Sequence, residues 1–202
     1  MLIKGQSFSV MARTKDFDEN EVLIKAVNLF WHKGYNGTSM QDLVDGLGIS
    51  RSSLYDTYGD KHTLFVKALE SYQASTSGAM CNIISNSISA KVAIRRLLEL
   101  VTYELAGDDL HKGCFMTNAA VEVAPHDAEV NNMICRNDQL IEDAFYLAIK
   151  KGQESGEITN KKDARALTRF IFNAVQGIRV SAKLTSDKAV FDDIVELTMS
   201  VL

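Results

Sequence analysis

The run MQDLVDGLGISRSSLYDTY, residues 40–58, constrains this chain more than any other stretch. Leu43, Leu47, Ile49 and Leu54 are spaced to converge between two short helices that cross at a sharp turn. Gly48 sits at that turn, where the backbone needs a positive φ that glycine adopts freely. Thr38 and Ser39 are placed to cap the first helix, with Gln41 and Asp42 as reciprocal acceptors, and Ser50 caps the second, roughly residues 51–58. The outward face of that second helix carries Arg51, Ser52, Ser53, Tyr55, Asp56 and Thr57. A guanidinium, short donors and an aromatic hydroxyl suit phosphates and base edges in a DNA major groove. The pattern is that of a helix-turn-helix.

The rest of the chain reads as helix throughout. A single proline in 202 residues, 46% hydrophobic content and the absence of alternating strand patterns favour an all-α fold. A first helix begins at Asp18, with Glu21 in capping-box position, and carries the stripe Leu23, Ala26, Val27, Phe30 and Trp31 up to Gly34. Gly59-Asp60 separates the reading helix from a fourth that opens at Lys61. Downstream helical patterns cover 60–77, 90–106, 114–123, 127–152, 161–184 and 187–202. The expected organisation is a flexible arm over 1–17, a DNA-binding domain over 18–60 and a helical ligand-binding and dimerisation domain over 61–202. Met11 is an alternative start to Met1, and Arg13 and Lys15 of the arm are candidates for the minor groove or phosphates.

Charge adds little to the case for DNA. The net charge is −4, and residues 1–70 hold eight Lys/Arg against nine Asp/Glu, so the motif has to carry the argument. No apolar run approaches a membrane span and the first ten residues lack a signal-peptide pattern, so the expected compartment is the cytoplasm, with no membrane partner. Three cysteines, Cys81, Cys114 and Cys135, show no metal-type spacing and do not pair off as a disulfide scaffold. His111 and His126 with Asp108, Asp109 and Asp127 are better explained by loop solvation and capping than by a metal, and no cofactor is expected.

GTSMQDLVDGLGISRSSLYDTYGDKHTLF resembles the signature of the TetR/AcrR family of transcriptional regulators, including the Gly-x-Ser-x-x-x-Leu-Tyr core and the lysine that opens the fourth helix. It departs from the commonest pattern at Val44, where a small alanine is usual, and at Tyr58, where phenylalanine is commoner. The resemblance implies a two-domain layout of about nine helices and a homodimer on double-stranded operator DNA. It also implies roles for single residues. Thr38 and Lys61, at helix N-termini, would hold phosphates. Tyr55 and Tyr58 would reach the DNA backbone, and Arg51, Ser52 and Ser53 would face bases, with Ser39, Ser50 and Thr57 beside them. The alternative is that the two tyrosines pack the domain and Ser50 is only a cap.

The closing pair of helical patterns has a second apolar theme. Leu167, Phe170, Ile171, Ala174, Val175, Ile178 and Ala182 are followed by Val190, Phe191, Ile194, Leu197 and Val201. In the family such a pair packs against its copy as a four-helix bundle; the alternative is that both cover the monomer's own core. Small Ala174 and Gly177 would allow close helix approach, and a helix-turn-helix reads two half-sites only as a dimer.

The stretch HKGCFMTNAAVEVAPHD, residues 111–127, is the most unusual one. Its GC-x-x-x-N arrangement resembles a subgroup of the family that includes sensors of reactive electrophiles. A helix N-terminus favours the thiolate of a cysteine placed there, which makes Cys114 a candidate for chemistry; the alternative is a small buried hydrophobe. Tyr103, Cys114, Phe115, Met116, Asn118, Phe145, Tyr146, Phe172 and Gln176 are the candidate lining of a mostly apolar effector pocket. An enzyme has no support, because no paired carboxylates, Ser/His/Asp set or phosphate loop is present. Two regulatory readings stay open: a repressor released by a small molecule, and one controlled by a protein partner or by oxidation of Cys114.

Overall fold

Alternation of apolar stripes with capping residues produces an all-helical chain. The computed structural model describes residues 17–106 and 111–202, and among them it has nine α-helices, one 3-10 turn and no strand. The helices are α1 (Glu19–Lys33), α2 (Met40–Leu47), α3 (Arg51–Tyr58), α4 (Lys61–Asn86), α5 (Ala90–Ala106), α6 (Phe115–Glu122), α7 (Ala128–Glu154), α8 (Ala164–Ser181) and α9 (Lys188–Ser200). The 3-10 turn, Ala124–His126, holds Pro125 between α6 and α7. Arg13, Lys15 and the rest of the expected arm through residue 16 lie outside the described residues, as do Asp108 and Asp109.

Capping side chains set the helix starts. Asp18 accepts from the Asn20 amide at 2.7 Å. Ser39 and Asp42 form a reciprocal capping box on α2, while Asp60 opens α4 by accepting from Thr63 at 2.7 Å. Gly48 has φ 71°, the left-handed conformation that the turn between α2 and α3 requires.

One boundary differs from expectation. The run ASTSGAMCNIISN is rich in weak helix formers and suggests that α4 stops near residue 77, yet the helix continues to Asn86. Met80 is buried in the C-terminal core and Ile83 and Ile84 pack against it, so tertiary contact overrides propensity. Local bonds accommodate the polar side chains: Ser75 and Thr76 donate to the Tyr72 carbonyl and Asn86 donates to that of Asn82. At 26 residues, α4 is about 39 Å long.

The interior divides into two clusters. The first joins α1 to α3 and the start of α4 with Cys114, Phe115, Met116 and Ala119 and with the start of α7. The second joins Met80 with α5, the end of α7, α8 and α9. The expected boundary at 60/61 coincides with the start of α4, but the packing does not divide there. α6 belongs to the core of the N-terminal head.

Candidate nucleic-acid interface and ligand cavity

α3 is short, and its buried face is Leu54 and Tyr58. Its outer surface exposes Arg51, Ser52, Tyr55 and Asp56, with Ser53 and Thr57 half-buried beside them. Tyr55 keeps 43% of its surface. Ser50 is exposed and caps α3: its Oγ accepts from the Ser53 amide at 3.1 Å and lies 2.9 Å from the hydroxyls of Ser52 and Ser53. Three adjacent hydroxyls at one helix N-terminus form a donor cluster beside Arg51.

Two candidates sit elsewhere. Thr38 is 0% exposed, and its hydroxyl donates to the Gly34 carbonyl at 2.6 Å. As it sits, that side chain offers nothing to a phosphate; it locks the α1–α2 turn. Tyr58 is 5% exposed and donates to the Glu19 carbonyl at 3.3 Å. Burial, then the charge of Glu19, pushes its phenol above the ordinary value. Here the packing alternative describes the tyrosine better, because its hydroxyl ties α3 to the start of α1.

Ser39 is exposed at the start of α2, and its partner Asp42 pairs with Lys33 at 2.5 Å. That hydrogen bond from Lys33, with those from Ser39, holds the Asp42 carboxyl far below the usual carboxylate range. Lys61 is half-buried at the start of α4, its ammonium 4.3 Å from the centre of the Tyr35 ring. Burial draws its pKa down, against the charges of Glu122 and Asp42, which draw it up.

The head is tied to α6 and the segments on either side of it by three polar links. Trp31 donates its indole N–H to the Gly113 carbonyl at 2.9 Å. The Glu122 carboxylate accepts from the backbone amides of Tyr35, at 3.0 Å, and Asn36, at 2.7 Å. His62 Nε2 meets Asp127 at 2.6 Å, and Asp127 also caps α7. Gly34, with φ 77°, is needed where Glu122 approaches, since a Cβ there would lie 2.8 Å from a carboxylate oxygen.

A cavity of about 350 Å³ lies where the two cores meet. Trp31, Tyr72, Cys114 and Met116 line it from the first core, and Met80, Leu100, Val101 and Ile141 from the second. Thr76, Lys112, Asn137 and Arg179 supply the polar groups. Of the expected pocket residues, Cys114 and Met116 are in this wall. Phe115 and Phe145 are fully buried core, one in each cluster. Asn118 donates to the Lys112 carbonyl at 2.8 Å, and Gln176 is held between Thr117 and Asp138. Phe172 packs against the second core, Tyr146 lies under Arg165, and the Tyr103 side chain is outside the described set.

Two of the residues missed left a trace in the sequence. Asn137 falls on the apolar stripe Val130, Ile134, Ile141, Phe145 of α7, and Arg179 falls on the stripe Val175, Ile178, Ala182 of α8. A polar side chain in register with a buried face signals an interior polar site.

The sequence and the fold are shared with known proteins. Residues 22–68 match the bacterial regulatory proteins of the tetR family, and residues 90–197 match the tetracyclin repressor-like C-terminal domain. The chain is 37% identical over 193 residues to YezE of Bacillus subtilis (strain 168), an uncharacterized HTH-type transcriptional regulator, covering 95% of this chain and 100% of that one. The HTH-type transcriptional repressor ComR of Escherichia coli (strain K12) is 27% identical over 172 residues, 85% of this chain and 82% of ComR. A cysteine mutant of the TetR family regulator CifR, solved with 26-bp double-strand operator DNA, has a TM-score of 0.83 at 24% identity, covering 93% of this chain and 98% of that one. With its helix-turn-helix and all-helical C-terminal half, this chain belongs to the TetR family and is a DNA-binding transcriptional regulator rather than an enzyme.

Proposed function

We propose that the protein is a cytoplasmic, homodimeric repressor of a palindromic operator, released when a small, mostly apolar ligand fills the cavity between the two cores. The observation that carries this reading is the position of that cavity. One wall belongs to the DNA-binding head and the other to the C-terminal bundle, so an occupant bears on both. A ligand shifts the protein only by binding one arrangement of the reading heads better than the other. Two recognition helices must meet half-sites roughly 34 Å apart, so a small tilt of α4 and α6 suffices to weaken binding.

On the DNA side, Arg51, Ser52 and Tyr55 are the proposed base and phosphate contacts, with Ser39, Ser50, Ser53, Thr57 and Lys61 flanking them. Thr38 and Tyr58 hold the scaffold beneath. The proposed dimer surface is the outer face of α8 and α9. Phe170 and Gly177, seven residues apart on α8, Leu184 in the turn after it, and Val190 and Leu197 on α9 are exposed among the described residues. Ile178 is fully buried and belongs to the subunit's own core.

A second reading gives the switch to Cys114. It lines the cavity, caps α6 without a side-chain bond, and lies 3.8 Å from the Tyr72 hydroxyl. The test titrates a palindrome selected from random DNA, with and without a small-molecule library and N-ethylmaleimide, in the wild type and Cys114→Ser. Release by apolar compounds in both proteins supports the non-covalent switch. Release by the maleimide in the wild type alone supports the thiol. If nothing alters affinity, effector control is wrong.

A further inference from the structure

We propose that the cavity takes an organic anion, with a carboxylate held by Arg179 and an apolar body among Met80, Leu100, Val101 and Ile141; this rests on reading the cavity as the effector site.

Arg179 is only 9% exposed, on the face of α8 that otherwise buries Val175, Ile178 and Ala182. Among the described residues its guanidinium makes no hydrogen bond and no ion pair within 4.0 Å. Among the described residues no fully buried side-chain nitrogen or oxygen lacks a partner, so its unbonded nitrogens are not fully buried, and Arg179 lines this cavity. The acid that senses its charge is Asp138, but that carboxylate is engaged elsewhere, by Gln176 at 3.2 Å and Asn137 at 3.4 Å. Asp138 offsets part of the charge but fills none of the guanidinium's donor positions, and an interior guanidinium whose N–H groups go unbonded is costly, a cost that an acceptor arriving from outside removes.

The lining agrees with this charge. Among its described residues Arg179 is a buried cation and none is a carboxylate, while the Lys112 ammonium stands 4.4 Å over the Trp31 ring. Arginine's planar fork matches the two oxygens of a carboxylate, and the rest of the wall is largely aliphatic, aromatic and thioether surface. At about 30 Å³ for each water-sized volume, 350 Å³ holds roughly a dozen non-hydrogen atoms. That is the size of a short fatty acid or an arylalkanoate.

Trp31, the protein's single tryptophan, lines the cavity, so its fluorescence reports occupancy directly. The experiment titrates the full chain with 4-phenylbutyrate and with its uncharged isostere 4-phenylbutanamide. The acid is expected to bind at least about tenfold more tightly than the amide, as charge-assisted hydrogen bonds do. Arg179→Met should abolish that preference, while Arg179→Lys retains part of it. If the methionine variant does not fold by circular dichroism, the wild-type comparison and the lysine variant carry the test. Equal binding of acid and amide to the wild type overturns the proposal. So does a preference that survives Arg179→Met, or no saturable Trp31 response to 4-phenylbutyrate and the straight-chain acids from butyrate to decanoate. Operator affinity is measured separately. An amide that binds as well as the acid and releases DNA overturns the anion site and leaves the effector reading intact. A carboxylate held through Arg179 that leaves operator affinity unchanged supports the anion site and removes its effector role.

Discussion

The two cores of this molecule are built from different side chains. The first is an aromatic chain. Phe30 meets Phe65 edge-on at 5.2 Å, Phe65 meets Phe115 at 5.7 Å, Phe115 meets Tyr72 at 5.7 Å, and Tyr72 meets Trp31 at 5.0 Å. Such pairs fix orientation as well as distance. In the second core the buried side chains are almost all aliphatic, with Phe145 and Phe191 as the aromatic exceptions. Aliphatic layers are held mainly by area and shape, and they tolerate small sliding movements better than interlocked rings do. From this difference the head with α6 is expected to move as the stiffer reading unit and the bundle to be the more deformable partner. The cavity lies on the seam between them.

Truncation of a core ring is the harshest way to break this comparison. Phe115→Ala and Phe191→Ala should each cost about 3–5 kcal/mol, because both side chains are buried in close-packed surroundings. Their signatures should differ. In Phe191→Ala, unfolding followed by circular dichroism is expected to precede unfolding followed by Trp31 fluorescence. In Phe115→Ala the two should fall together, with operator binding lost as the head loosens. Coincident transitions in Phe191→Ala would make the interior one cooperative unit.

The bundle also differs from the head in its uncovered outer face. Leu197 is 71% exposed in the subunit, so Leu197→Asp should fold normally. In the proposed dimer the new carboxylate is buried without a partner, at about 3 kcal/mol or more, and the protein should sediment as a monomer. Ile178→Asp, on the inner face, should instead unfold the subunit. A Leu197→Asp dimer of unchanged affinity would move the interface elsewhere.

How much of this was legible beforehand follows from the same contrast. The head was readable because its structure is local: Ser39, Gly48, Ser50 and Asp60 act within four residues of where they stand. Thr38 and Tyr58 were harder, since a hydroxyl suited to a phosphate is equally suited to the Gly34 or Glu19 carbonyl. On α8, periodicity marked the apolar positions but could not divide them between an inner stripe through Ile178 and an outer one through Phe170. The cavity was the least legible, because it is assembled from α1, α4, α5, α7, α8 and the segment entering α6. Pocket candidates chosen for being aromatic, such as Phe115 and Phe145, filled the cores instead.

Within the head, binding and stability should separate cleanly. Arg51 is exposed on α3, so Arg51→Ala should weaken operator binding by about 1–3 kcal/mol per half-site and leave the melting temperature unchanged. Tyr58→Phe deletes only the bond to Glu19 and should do the reverse, lowering stability by about 1 kcal/mol. Gel-shift titration at fixed salt beside a thermal melt checks both. Unaltered DNA affinity in Arg51→Ala would take that guanidinium off the reading surface.

The smallest expected effect tests how the seam reaches DNA. α4 is one connection, since its first residue abuts α3 and Met80 near its other end lines the cavity. α6 is another: Cys114 and Met116 face the cavity, and Glu122 at the far end grips the amides of Tyr35 and Asn36 in the turn before α2. A carboxylate presents two acceptors to those two amides. Glu122→Gln keeps one acceptor and sets an NH₂ group against the other amide, which should cost about 1 kcal/mol and loosen the grip without emptying the core. Glu122 is not part of the cavity lining, so ligand titration of Trp31 should be unchanged. Operator release at saturating ligand should fall severalfold, because movement of α6 is no longer passed to the turn. Release equal to the wild type would take the Glu122 grip off the route, and the head would then follow the bundle through α4 and through the Trp31–Gly113 and His62–Asp127 links.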